Sequence, residues 1–87
     1  DKSKRAVQIT KEDYNIYDYI IAMDENNLRN LKRIIPEDTE GKIYKLLDFT
    51  DRGGDIADPW YTGNFDVTYD DITEGIDGFM EFLRRQK

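Results

Sequence analysis

The run Tyr17-Asp18-Tyr19-Ile20-Ile21-Ala22-Met23 sets consecutive apolar residues at its centre and ends at Asp24. A strand that is apolar on successive residues must be covered on both faces, which is the condition of a parallel sheet. Asp24 then serves as the cap of a helix on which Leu28, Leu31 and Ile35 recur on one side, with Arg29, Asn30, Lys32 and Arg33 opposite. Pro36 stops that helix, and the turn runs from Ile35 through Gly41. Lys42-Ile43-Tyr44-Lys45-Leu46-Leu47-Asp48-Phe49 reads as a second strand. The order strand, helix, strand, helix is that of a parallel α/β sheet with right-handed crossovers. Two such strands make an incomplete sheet, so further strands are expected from elsewhere.

The remaining elements are set by local signals. Thr10-Lys11-Glu12-Asp13 resembles a capping box and predicts a short helix from about Lys11 to Asn15. Residues 1–9 carry Lys2, Lys4 and Arg5 without a helix or strand pattern, and read as a chain entered midway. Asn64 is an N-cap for the longest helix, whose expected apolar stripe is Tyr69, Ile72, Ile76, Phe79 and Leu83. Acids near its start and Arg84, Arg85 and Lys87 at its end suit the helix dipole. Gly75 and Gly78 weaken a helix by up to about 1 kcal/mol each, so they are expected where it presses against a neighbouring backbone.

Composition narrows the chemistry. The 87 residues allow one small domain, with 38% hydrophobic residues for a core and 37% charged residues for its surface. The net charge of −6, with basic residues scattered except at the two ends, argues against a nucleic-acid partner. With neither Cys nor His, these residues hold no disulfide, thiolate nucleophile or imidazole base, and any acid or base must be a carboxylate. No apolar run approaches the roughly 20 residues that cross a bilayer, so no membrane partner is expected and the reading is cytosolic. Asp48, Asp51 and Asp55 miss the spacing of a calcium loop, and Gly53-Gly54 lacks the Walker lysine, so neither a metal nor a cofactor is expected.

The stretch from Thr50 to Asn64 has no helical or alternating pattern, and unstructured loops of that size are often functional. Within it Asp58-Pro59-Trp60-Tyr61-Thr62-Gly63 puts one carboxylate beside a proline and two large rings. Ligands of open α/β sheets bind beyond the carboxyl ends of the strands, the edge shared by Asp24 and this loop. Asp24 could orient a phosphate loop or simply cap its helix. Asp58 by itself could be a turn residue, and either ring could merely pack the loop onto the body.

Three segments in order, Gln8-Ile9-Thr10-Lys11-Glu12-Asp13-Tyr14, Asp18 to Leu28, and Asp58-Pro59-Trp60-Tyr61, resemble landmarks of the low-molecular-weight protein tyrosine phosphatases. The resemblance covers roughly residues 3 to 86, all of the chain read as the carboxyl-terminal portion of one phosphatase domain. It implies a flavodoxin-like, three-layer, doubly wound parallel sheet lacking here its first strand and its Cys-x5-Arg phosphate loop. It also implies hydrolysis of a phosphotyrosine protein or small aryl phosphate through a cysteinyl-phosphate, with Asp58 as general acid and Trp60 and Tyr61 lining the entrance. Cover by Trp60 and a nearby phosphate dianion would favour the protonated form of that acid. The implied partner is an amino-terminal segment bearing the nucleophile, so the chain alone is expected to be inactive. Lys4 stands where the family often has a His. An arginine phosphatase, a thioredoxin-coupled arsenate reductase and a non-catalytic interaction module are the competing readings; the arsenate reductases need relay cysteines that this chain lacks.

Overall fold

A computed structural model describes residues 9–86, so Lys2, Lys4, Arg5, Gln8 and Lys87 lie outside the described residues. The elements run α1 (Lys11–Ile16), β1 (Ile20–Ala22), α2 (Glu25–Ile34), β2 (Ile43–Lys45), a 3-10 helix (Leu46–Phe49), α3 (Pro59–Thr62) and α4 (Phe65–Arg85). β1 and β2 pair in parallel with Ile20 opposite Ile43, Ile21 opposite Tyr44 and Ala22 opposite Lys45. The two strands are the predicted ones, each shorter than expected. Tyr17 is exposed before β1 begins. β2 ends because the Asp48 carboxylate accepts the Lys45 amide at 2.9 Å and turns Leu46 and Leu47 into the 3-10 helix.

The pleat sends alternate residues to opposite faces, and each face acquires its own core. Tyr14, Ile20 and Ile35 form one cluster, joined by Ile9 from the segment before α1, Leu31 and Ile34 from α2 and Ile43 from β2. Leu46, Leu47 and Ile56 form the other, with Ile21 and Ile72. On this second side the rings of Tyr19, Tyr44, Phe49, Phe79 and Phe82 meet at centroid distances of 4.9 to 6.4 Å. The result is three layers, with α1 and α2 on one face of the sheet and α4 on the other.

The predicted caps are in place. Thr10 and Asp13 exchange the two capping-box hydrogen bonds, Asp24 accepts the Asn27 amide at 2.8 Å, and Asn64 accepts the Val67 amide at 3.0 Å. The stripe expected on α4 needs correction. Thr68 and Gly75 are buried and Ile72, Phe79 and Phe82 half-buried, whereas Tyr69 is 71% and Ile76 48% exposed. The contact face is rotated because a side chain on Gly75 would meet Leu46 and one on Gly78 would meet the Phe49 backbone. The two glycines let α4 settle onto the 3-10 helix along their own side; Gly78 faces a neighbouring backbone as expected, whereas Gly75 makes room for the Leu46 side chain.

At the other end of the strands Asp38 ties the α2–β2 turn together. Its carboxylate accepts the Tyr14 hydroxyl at 2.5 Å and the amides of Lys42 and Ile43 at 2.7 and 3.1 Å. Partial burial acts to raise the Asp38 pKa, but the Tyr14 hydroxyl and the amides outweigh it and hold the group below the ordinary carboxylate value. A carboxyl group whose folded pKa is depressed contributes stability above its unfolded pKa and loses it as the pH falls through the folded one. Asp38→Asn should therefore cost about 1 kcal/mol at neutral pH, below the usual range for a charged acceptor because solvent screens the exposed carboxylate. Urea titrations of the full-length protein should show this gap from wild type closing as the pH drops below the usual carboxylate range; a gap independent of pH would contradict the assignment.

Candidate active site

The loop from Thr50 to Asn64 is more ordered than its composition suggests, because it is pinned to three elements. Ile56, its one large apolar residue between Arg52 and Pro59, is buried, and its amide donates to the Met23 carbonyl at 2.9 Å. That bond fastens the loop to the exit of β1, immediately before Asp24. The buried Thr68 hydroxyl donates to the Ala57 carbonyl at 3.0 Å and fastens the next residue to α4. Farther back, Arg52 bridges Asp71 at 2.6 Å and Glu74 at 3.0 Å, and Lys45 bridges Asp55 at 2.8 Å and Glu25 at 3.2 Å. The hydrogen bond to Asp55 raises the Lys45 pKa despite some burial, and Lys45 in turn lowers that of Asp55. These pairs, each with at least one partner open to solvent, add little energy, but they restrict the path of the loop.

Asp58 follows the two pinned residues directly. Its Oδ1 accepts the Trp60 amide at 3.0 Å, and its backbone carbonyl accepts the amides of Tyr61 and Thr62. Pro59 occupies the first helical position, where a missing amide hydrogen costs nothing and the fixed φ suits the helix. α3 stops after one turn at Gly63, whose φ of 77° is a conformation that favours glycine, and the Gly63 amide donates to the Pro59 carbonyl at 2.8 Å. Asp58 is thus both the N-cap of α3 and a carboxylate at the carboxyl edge of the sheet.

Trp60 is 84% and Tyr61 94% exposed. The indole meets Phe65 edge-on, with ring centroids 5.1 Å apart and planes at 89°. Asp58 is also exposed, so the cover expected from Trp60 is not present among the described residues. The reason is geometric: the single turn of α3 carries the indole forward onto the start of α4 rather than back over the acid that caps it. Asp24 and Asp58 share the sheet edge, connected through Met23 and Ile56, and Asp24 acts as a helix cap. Among the described residues no cluster of Asp and Glu is arranged to hold a metal ion. Asp48 and Asp55 are engaged with Lys45.

Residue-level reading missed Phe65, Thr68 and Arg52 as supports of this loop. Ile56 had a visible signal in its isolation between polar neighbours. Thr68 had none, because a threonine inside a helix does not announce which carbonyl it will reach.

The profile of the low molecular weight phosphotyrosine protein phosphatases matches residues 2–87. The chain belongs to this family. The low molecular weight protein-tyrosine-phosphatase PtpA of Staphylococcus haemolyticus is 40% identical over 68 residues, 77% of this chain and 44% of that protein. PtpA of Staphylococcus aureus is 38% identical over the same share of each. Among solved structures, YfkJ of Bacillus subtilis superposes with a TM-score of 0.83 at 32% identity, covering 92% of this chain and 52% of that one. The low molecular weight protein tyrosine phosphatase SP-PTP of Streptococcus pyogenes gives 0.65 at 37% identity, covering 100% of this chain and 53% of its own. The chain therefore spans less than half the length of these curated relatives and about half of the solved ones. Its fold is α/β, with a small parallel sheet that agrees with part of a flavodoxin-like phosphatase.

Proposed function

We propose that this chain is the carboxyl-terminal portion of a single phosphatase domain that hydrolyses phosphotyrosine, and that it supplies the general acid while another segment supplies the nucleophile. The observation that carries this reading is the committed geometry of Asp58. Its Oδ1 is held by the Trp60 amide, which leaves Oδ2 as the oxygen able to carry a proton, and the loop behind it is fastened to the exit of β1. In the reaction a cysteine thiolate of the Cys-x5-Arg segment attacks phosphorus. The bond from phosphorus to the phenol oxygen breaks, and that oxygen takes the proton from Asp58. The Asp58 carboxylate next takes a proton from water as the water oxygen attacks phosphorus. The phosphorus–sulfur bond then breaks, and thiolate and inorganic phosphate are released. Acid–base assistance of this kind contributes about 10²- to 10⁴-fold.

Trp60 and Tyr61 directly follow the acid in sequence and expose flat rings to solvent, which supports their use as walls for the ring of a phosphotyrosine protein or small aryl phosphate. This favours a phenolic leaving group over a guanidine. The same reading puts the enzyme in the cytoplasm, where an attacking thiolate stays reduced. No described helix is long and apolar enough to cross a membrane. The test is a substrate comparison with the full-length protein. Phosphotyrosine peptides should be hydrolysed and phosphoarginine peptides far more slowly, with no turnover by the 87-residue chain alone. A preference for phosphoarginine would overturn the proposal.

A further inference from the structure

Trp60 is the single tryptophan of the chain, yet it stands on a helix of one turn with most of its ring in solvent. A wall that receives a flat substrate must be held still, because an indole free to rotate loses the entropy of its rotamers when the substrate binds. The backbone of α3 does not supply that restraint, since its amides fix only the path of the main chain. What restrains the ring lies across the α3–α4 junction. Gly63 reverses the chain in a left-handed conformation, the Asn64 amide donates to the Thr62 hydroxyl at 3.1 Å, and Asn64 caps α4. This tight sequence delivers Phe65, the first residue of α4, against the indole in a perpendicular contact. Phe65 is itself half exposed, so burial in the core does not account for a large ring at this position.

We infer that Phe65 is a positioning residue: it holds the Trp60 ring in the orientation that receives the aromatic part of the substrate, and so selects for flat leaving groups. The inference rests on the reading of Trp60 as a substrate wall. An edge-to-face pair restricts the indole from one side and leaves its remaining surface to the ligand. Because Phe65 is the first residue of α4, its contact with the indole ties the ring on α3 to the longest helix. The expected signature is a change in substrate affinity with little change in the chemical step, since Phe65 is not placed to touch the reacting atoms.

The test uses full-length protein labelled with 5-fluorotryptophan, with the Trp60 resonance assigned by Trp60→Phe. Phe65→Leu should shift and narrow that resonance and raise KM for a phosphotyrosine peptide about three- to ten-fold, leaving kcat within about two-fold. Phe65→Tyr should restore both. An unshifted resonance in Phe65→Leu would overturn the inference, and so would a shifted resonance with unchanged KM. Trp60→Ala, measured alongside, separates the two layers of the argument. If it raises KM while Phe65→Leu does not, the positioning role falls and the wall stands; if neither raises KM, the wall itself falls and the positioning role with it.

Discussion

Asp58→Asn in the full-length protein is expected to lower kcat on phosphotyrosine by about 10²- to 10⁴-fold, the usual worth of a positioned proton donor. The choice of asparagine matters because Asp58 has two jobs. As the N-cap of α3 it accepts the Trp60 amide, and asparagine caps a helix as well as aspartate does. As a proton donor it needs a carboxylic acid, which asparagine cannot replace. Asp58→Asn therefore removes the chemistry and keeps the turn, whereas Asp58→Ala removes both and adds about 0.5 to 2 kcal/mol of lost capping. Steady-state kinetics of both variants, with thermal unfolding as a control, checks the assignment. Equal activity in wild type and Asp58→Asn would show that Asp58 only caps.

Leu47→Ala is expected to destabilise the full-length protein by about 2 to 5 kcal/mol, the range for emptying a buried leucine site. Leu47 is 0% exposed and packs with Leu46, Ile56, Ile21 and Ile72, so its side chain links β1, the 3-10 helix, the pinned loop and α4. Collapse of the cavity is hindered on two sides. The α4 backbone already lies against Leu46 at Gly75 and against Phe49 at Gly78 and cannot move closer. Ile56 is held by its hydrogen bond to Met23. Urea denaturation reads the loss, and a change under about 1 kcal/mol would mean the site repacks freely.

What could be read from residues alone follows the range over which each determinant acts. The capping box at Thr10, the caps at Asp24 and Asn64 and the stop before Pro36 are settled within one helical turn, and all are found as expected. β2 is shorter than its apolar run because Leu46 and Leu47 have the same pattern whether they sit in a strand or a buried 3-10 turn. α3 is not legible in the residues although Asp58-Pro59 combines an N-cap with proline at the first helical position; one turn is too short for an apolar pattern to emerge. The buried face of α4 departs from the apolar stripe at Tyr69 and Ile76 because helix packing is decided by glycines, which carry no hydrophobic signal. The pairs Tyr14 with Asp38, Lys45 with Asp55 and Arg52 with Asp71 join residues far apart in sequence, and partner choice there depends on the finished fold. The candidate site was legible as a set of residues, since Asp58, Trp60 and Tyr61 are adjacent. Its supports were not, because Phe65 and Thr68 act across a chain reversal.

The central claim is that Asp58 hands a proton to the departing phenol, and leaving-group dependence tests it most directly. For a series of aryl phosphates spanning a wide range of phenol acidity, kcat/KM should be measured for the full-length protein and for Asp58→Asn. Protonation by Asp58 predicts a nearly flat dependence on phenol pKa in the wild type and a steep fall with rising pKa in the variant, the two converging for the most acidic phenols. Parallel dependences, differing by a constant factor or not at all, would contradict the account.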